Sequence, residues 1–172
     1  SFVSSNRILD AVWELCRYSM RATSFCGIYV DGDRERIPYE ADAYINQLGH
    51  YCCDRELTMA RATHEYLLLH PTWPTEWLMH SVLIAWADYL HSGNPASMAR
   101  YYDDLVAKSL VDLERGDGLI STSGAAANTD LVRRLHLDHD RYIFERRIDD
   151  LVDWPQRERD GHVLLPVSAV SN

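Results

Sequence analysis

Long apolar runs are missing from this chain: none of its 172 residues belongs to a stretch approaching the roughly 18 apolar residues that a membrane span needs. No transmembrane segment is expected, and Ser1 to Asp10 lacks the apolar core of a secretory leader; the compartment is left open. Lysine is nearly absent. Lys108 is the only one, in a cationic set otherwise made of arginine, whose guanidinium offers the planar, bidentate hydrogen bonding that an ammonium lacks. Alone, this is a hint about surfaces. The four cysteines, Cys16, Cys26, Cys52 and Cys53, show no Cys-x-x-Cys spacing, and the adjacent pair cannot easily bridge to itself. They read as buried thiols packed on helices. The eight histidines are dispersed: His64 and His70 lack helical ligand spacing, and His136 with His139 lacks a second ligand pair. No metal and no cofactor is expected. A cationic excess is missing too, since 26 acids face 17 basic residues for a formal net charge of −9. That excludes the Lys/Arg-rich face a nucleic acid or an anionic membrane demands, and a neutral or cationic ligand fits better.

What is present is one domain's length of chain with an ordinary globular share of hydrophobic residues, 47%. Ile8, Val12, Leu15 and Cys16 follow a helical stripe behind Ser5 or Asn6 as cap. A second helix is predicted from Tyr39 to about Cys52, with Pro38 at its first position. A third runs from Asp54, its cap, to Leu69, stopped before Pro71. A fourth opens at Pro74 or Thr75 and ends at Gly93, and a fifth runs from Ala96 to about Leu113. Helices of this length joined by short loops pair as antiparallel hairpins, the unit of bundles, solenoids and helical toroids. The fold class is therefore all-α. Beyond them, Gly116-Asp117-Gly118 and Ser121-Thr122-Ser123-Gly124 mark a turn-rich connection.

The densest chemistry lies between Asp31 and Asp42, where five carboxylates and two guanidinium groups share twelve positions. Asp31, Asp33 and Glu35 recur every second residue and would project from one side of an extended segment, with Arg34 and Arg36 facing the other way. Glu40 reads as a negative charge favoured in a helix's first turn. Asp42 falls near the turn carrying Glu35, flanked by Tyr39, Tyr44 and Asn46. Acids, phenols and amides together suit a ligand rich in hydroxyl groups. Farther on, Asp153-Trp154 before Pro155 pairs a carboxylate with an indole, which can stack on the C–H face of a sugar ring.

Asp31, the Arg34-Glu35-Arg36 triplet, the aromatic Tyr39, Asp42 and the downstream Asp153-Trp154 together resemble α-L-rhamnosidases of glycoside hydrolase family 78, a likeness covering nearly the whole chain. That family's motif runs Asp, Arg-Glu-Arg, Gly-Trp, then an Asp seven residues after the Glu; Glu35 and Asp42 keep this interval. The family's Gly-Trp is here Pro38-Tyr39, and its Gly-Asp is Ala41-Asp42. The resemblance implies antiparallel helical hairpins forming part of an (α/α)6 toroid, with residues 1–172 a partial catalytic domain whose C-terminal hairpins are missing. It also implies inverting hydrolysis of terminal α-L-rhamnosides in the complete protein and a rhamnose-containing glycan or glycoside as partner. Glu35 resembles the general acid. Asp31, Arg34 and Asp42 resemble groups holding the sugar hydroxyls, and Tyr39, Trp77 (or Trp73) and Trp154 resemble aromatic walls. The general base has no counterpart here, because Glu158 and Asp160 sit in a charged run with Arg157 and Arg159; the fragment alone is expected to be inactive. Surrounding acids and burial are expected to keep Glu35 protonated, and the unpartnered apolar flank implies self-association.

Two other classes fit the same residues. A non-catalytic helical carbohydrate-binding or interaction module would hold its ligand without turnover, and another six-hairpin glycosidase or a polysaccharide lyase would reject rhamnosides. A metal-dependent isoprenoid cyclase is disfavoured because Asp103-Asp104 lacks a further acid.

Overall fold

The computed structural model describes residues 2–32, 35–72, 74–122 and 128–138. Helix α1 spans Arg7–Ala22 and starts where Asn6 accepts a hydrogen bond from the Ile8 N–H, the capping role expected of it. A two-stranded antiparallel hairpin follows, β1 Ser24–Phe25 and β2 Ile28–Tyr29. Its turn residues, Cys26 and Gly27, both have positive φ, 51° and 81°, as the tightest hairpins require. Helices α2 (Glu40–Cys53), α3 (Thr58–Leu69) and α4 (Thr75–Ser92) come next. They are followed by the short α5 (Ala96–Arg100) and α6 (Tyr102–Lys108), a 3₁₀ turn at Val111–Leu113, and α7 (Thr129–Arg134). The architecture is all-α apart from the small hairpin.

Several boundaries depart from expectation for local reasons. Pro38 lies outside α2, which starts at Glu40 with extended Tyr39 as its N-cap. Asp54 closes α2 rather than opening α3, and the carboxylate of Glu56 takes the N–H groups of Thr58 and Met59 at 2.7 and 3.2 Å. The fifth helix is broken at Tyr101, where the backbone leaves helical geometry, and stops before Leu110, held at φ 59°. The β-hairpin and α7 were not foreseen. Nor are the cysteines buried: Cys16, Cys26 and Cys52 are exposed and Cys53 half-buried, all four as free thiols.

Helix α2 packs on α4, on α3 and on α1, and α4 in turn on α3 and α6. The buried stripe of α2 is Glu40, Ala43, Gln47 and Tyr51, a helical spacing of three and four residues. One core joins Tyr29, Ala43, Tyr51, Ala60, Leu67 and Ile84; a second joins Leu78 to Leu110, Leu113, Leu131 and Leu135. Small residues let α1 approach α2, since a Cβ on Gly49 would stand 2.6 Å from the Met20 sulfur. Yet α1 buries no residue. Ile8, Leu9, Val12 and Leu15 are exposed on it, and Leu15 lines a groove of about 490 Å³ shared with α2.

Polar ties set the register where apolar packing cannot. Asp88 of α4 accepts from Arg61 of α3 through both oxygens, at 2.9 and 3.2 Å, and from the Tyr51 hydroxyl of α2 at 2.9 Å. Asp88 is 5% exposed, and removing its carboxylate takes the acceptor from a partly exposed guanidinium and from a phenol. Asp88→Ala is expected to lower the unfolding free energy by about 1–3 kcal/mol, measured by urea denaturation with the midpoint read at constant slope.

Candidate functional site

After β2 the chain closes a loop on itself. The Asp31 N–H donates to the Ile37 carbonyl at 2.8 Å, and the Ile37 N–H returns a bond to Asp31 Oδ1 at 3.2 Å. Between them Arg36 sits at φ 55° and lays its guanidinium over the Phe25 ring, 5.6 Å from the centroid. A left-handed residue inside the segment breaks the strict two-residue alternation expected of it. Asp33 and Arg34 lie outside the described residues.

The loop delivers Glu35 to the first turn of α2. The Tyr39 hydroxyl donates a short hydrogen bond to Glu35 Oε2, and the Tyr39 ring meets the Trp77 indole edge-on, 5.1 Å between centroids and 70° between planes. Trp77 is in the first turns of α4, so the N-terminal ends of α2 and α4 lie side by side. Half-buried Asp42 completes the group. Burial raises its carboxyl above the usual 3.8, and the nearby charges of Asp31 and then Glu35 raise it further, against the opposing pull of its own backbone N–H. Asp31, Glu35, Tyr39, Asp42 and Trp77 thus lie in one neighbourhood. Two expectations fail. Glu35 is exposed, without the burial assumed for it, and Asn46 serves the α1 corner, accepting from the Thr23 hydroxyl at 3.3 Å. Tyr44 faces His80, 5.7 Å between ring centroids. Trp73 and Trp154 lie outside the described residues, as do the acids at 149–160.

The largest correction concerns Glu40. It is no solvated helix-start charge but wholly buried, at 0% exposure. Its carboxylate accepts the Thr72 N–H at 2.9 Å through Oε1 and the Thr72 hydroxyl through Oε2. Lys108 is equally buried and exerts the strongest attraction on the Glu40 carboxylate, whose pKa burial nonetheless raises. The lone lysine is therefore an interior group and no comment on the surface. A signal for Glu40 existed in the sequence: it continues the stripe Ala43, Gln47, Tyr51 backward by one turn. Thr72, in the connection between α3 and α4, carried none.

Among the described residues no group of three or more His, Cys, Asp or Glu is placed to hold a metal ion. The arrangement offers an exposed carboxylate hydrogen-bonded by a phenol, an indole edge-on to that phenol, and Asp42 within electrostatic reach of Glu35 and Asp31. Such a set can donate a proton and accept hydrogen bonds from several hydroxyls beside an apolar sugar face.

A family model described as bacterial alpha-L-rhamnosidase 6 hairpin glycosidase domain matches residues 1–163. No curated protein and no solved structure matches the chain.

The strained electrostatics of Asp42 have a measurable sign. A carboxyl whose folded pKa is raised binds its proton more tightly when folded, so its ionisation opposes folding increasingly as pH rises from 3.8 through the folded value. Asp42→Asn removes that opposition. The variant is expected to melt at a higher temperature than the parent at pH 7, with the gain shrinking as the pH is lowered toward 4. An unchanged or lower melting temperature at pH 7 would contradict the assignment.

Proposed function

Because the chain belongs to the family of bacterial α-L-rhamnosidase six-hairpin glycosidase domains, we propose that the complete protein hydrolyses terminal α-L-rhamnosides with inversion, Glu35 acting as general acid. The observation carrying this reading is the position of Glu35. Its carboxylate stands exposed at the junction of two helix starts, with Oε2 taken by the Tyr39 hydroxyl and Asp42 close enough to feel its charge. The Tyr39 hydroxyl orients the Glu35 carboxyl, and the acid gives its proton to the glycosidic oxygen of a sugar held in the site.

In this reading Asp31, Asp42 and Arg34 accept from or donate to the rhamnose hydroxyls. Tyr39 and Trp77 form a wall against the apolar ring face and methyl group, with Trp154 a second wall. Inversion also needs a carboxylate across the ring to activate water, about 6.5–9.5 Å from the acid. That base is supplied from outside residues 1–172, and the hairpins close as an (α/α)6 toroid of which this chain forms part. The leaving group departs as the acid's proton reaches its oxygen, and water adds at the anomeric carbon from the opposite face.

The test is Glu35→Gln in the complete protein, assayed on an alkyl rhamnoside and on an aryl rhamnoside with an acidic phenol as leaving group. The amide cannot donate the proton, so the alkyl substrate is expected to lose about 10²–10⁴-fold in kcat and the activated aryl substrate much less. Near-parental rates on both would remove Glu35 from the mechanism. A protein that binds rhamnose with no turnover before or after the change would be a binding module instead, and one that rejects rhamnosides but cleaves another glycoside would be a different six-hairpin glycosidase.

A further inference from the structure

Two groups in this molecule are harder to accommodate than anything at the surface. Glu40 and Lys108 are both fully buried, and removing a carboxylate or an ammonium from water costs several kcal/mol each, which mutual attraction recovers only partly. Stability alone does not call for them, since an amide and a thioether of similar size would pack in their place. Buried charges that break the rules of a stable core cluster where function needs geometry.

Their placement indicates which geometry. Glu40 is the residue after Tyr39 and two before Asp42, so whatever fixes its carboxylate fixes the turn that carries both. Thr72 binds that carboxylate with its N–H and its hydroxyl, tying the turn to the connection that leads through Pro74 into α4 and Trp77. Lys108 ends α6, and its ammonium donates to the Leu135 carbonyl just beyond α7 at 3.3 Å. Burial lowers its pKa to about 8, against the attraction of Glu40 first and Asp104 second. His64, the other buried titratable group near Lys108, has its pKa lowered to about 4 by burial and then by Lys108, so near neutral pH it adds no competing positive charge. Glu40 and Lys108 are each anchored to a different part of the fold, and the other buried carboxylate, Asp88, is held by Arg61 and Tyr51.

From this we infer that Glu40 and Lys108 are positioning residues: the buried carboxylate, anchored by Thr72 and countered by Lys108, sets the first turn of α2 and thereby holds Tyr39 against Glu35. The inference rests on the assignment of Glu35 as acid only for its kinetic part. The hydrogen bond between Tyr39 and Glu35 is its direct object, and that bond can be observed without turnover.

The experiment uses the complete protein with tyrosine labelled at Cζ with carbon-13, the Tyr39 resonance being assigned by its loss in Tyr39→Phe. Glu40→Gln and Lys108→Met each leave the opposite charge buried alone and are expected to move the Tyr39 resonance toward its position in Glu35→Gln. The double variant, with neither charge, is expected to bring it back. In kinetics on an alkyl rhamnoside, each single variant is expected to lower kcat about 10–100-fold with KM little changed, the scale of a small misplacement of a reacting group. The double variant recovers part of this. In a Tyr39→Phe background Glu40→Gln costs little more, because residues acting through one another are not additive. A Tyr39 resonance unmoved in folded single variants overturns the inference, as does full additivity with Tyr39→Phe. If instead Glu35→Gln proves active while the resonance shifts as described, the acid assignment fails and the positioning role stands. Should a single variant fail to fold, the double variant and Thr72→Val, which removes only the hydroxyl, carry the same resonance test.

Discussion

The first turn of α2 is held from the inside, by a carboxylate with no access to water. Glu40 offers two oxygens, and Thr72 fills both, one from its backbone and one from its side chain. Because a buried anion without hydrogen-bond donors is costly, this pairing is obligatory, and it locks the connection before α4 to the beginning of α2. The side-by-side approach of the two helix starts, the contact of Tyr39 with Trp77 and the delivery of Glu35 to that junction all follow from it. Hydrophobic packing could not do this alone. It is non-directional, and a stripe as small as Ala43 against Ile84 permits sliding. Three polar ties along α2 remove the freedom: Glu40 to Thr72 at one end, Gln47 to the Ile84 carbonyl at 3.1 Å midway, and Tyr51 to Asp88 at the other end.

How much of this was legible in the sequence depends on which force governs each element. Helices α2 and α4 agree with their expected extents to within a residue or two, Gly93 ending α4 in the left-handed conformation, and α1 starts behind the expected cap Asn6. The fifth helix was misread because nothing local marks its break at Tyr101. The same composition continues through the break, and the chain turns to place Leu105, Leu110 and Leu113 in two cores. The hairpin was missed because two-residue strands are too short to show alternation, and its Cys-Gly turn is an uncommon sequence for that conformation. The cysteines were misjudged by residue type: thiols are usually interior, but here three of the four face outward from α1, α2 and the hairpin turn.

For the site, the spacing of Glu35 and Asp42 was informative and the side on which each acid lies was not. Seven residues of extended chain would span up to about 24 Å; the helix start expected near Pro38 is what draws Asp42 back toward Glu35, and that expectation survived an error about the loop's conformation. The alternation argument did not survive, because a loop closed by its own backbone at Asp31 and Ile37 need not be extended between. Glu40 was misread for a different reason: a charge in a helix's first turn has a sufficient explanation in helix electrostatics, which hid its place on the buried stripe. The lone lysine was the clue to its partner, and it pointed inward.

The acids of one short stretch thus meet unlike environments, and helix phase accounts for the difference. From Glu40, Ala43, Gln47 and Tyr51 follow at three- and four-residue steps and share the interior face, so Glu40 must be buried wherever that stripe is buried. Asp42, two residues on, is rotated about 200° at 100° per residue and cannot share that face; it stays half-buried, near Asp31 and Glu35, whose charges it feels. Glu35 precedes the helix and escapes its phase altogether, which leaves it exposed and free of the register that confines the other two. One buried acid is fixed to the frame, one is half-buried among like charges, and one is exposed. Burial raises the proton affinity of both Glu40 and Asp42, and how deeply each is buried comes from where it falls relative to the first residue of a single helix.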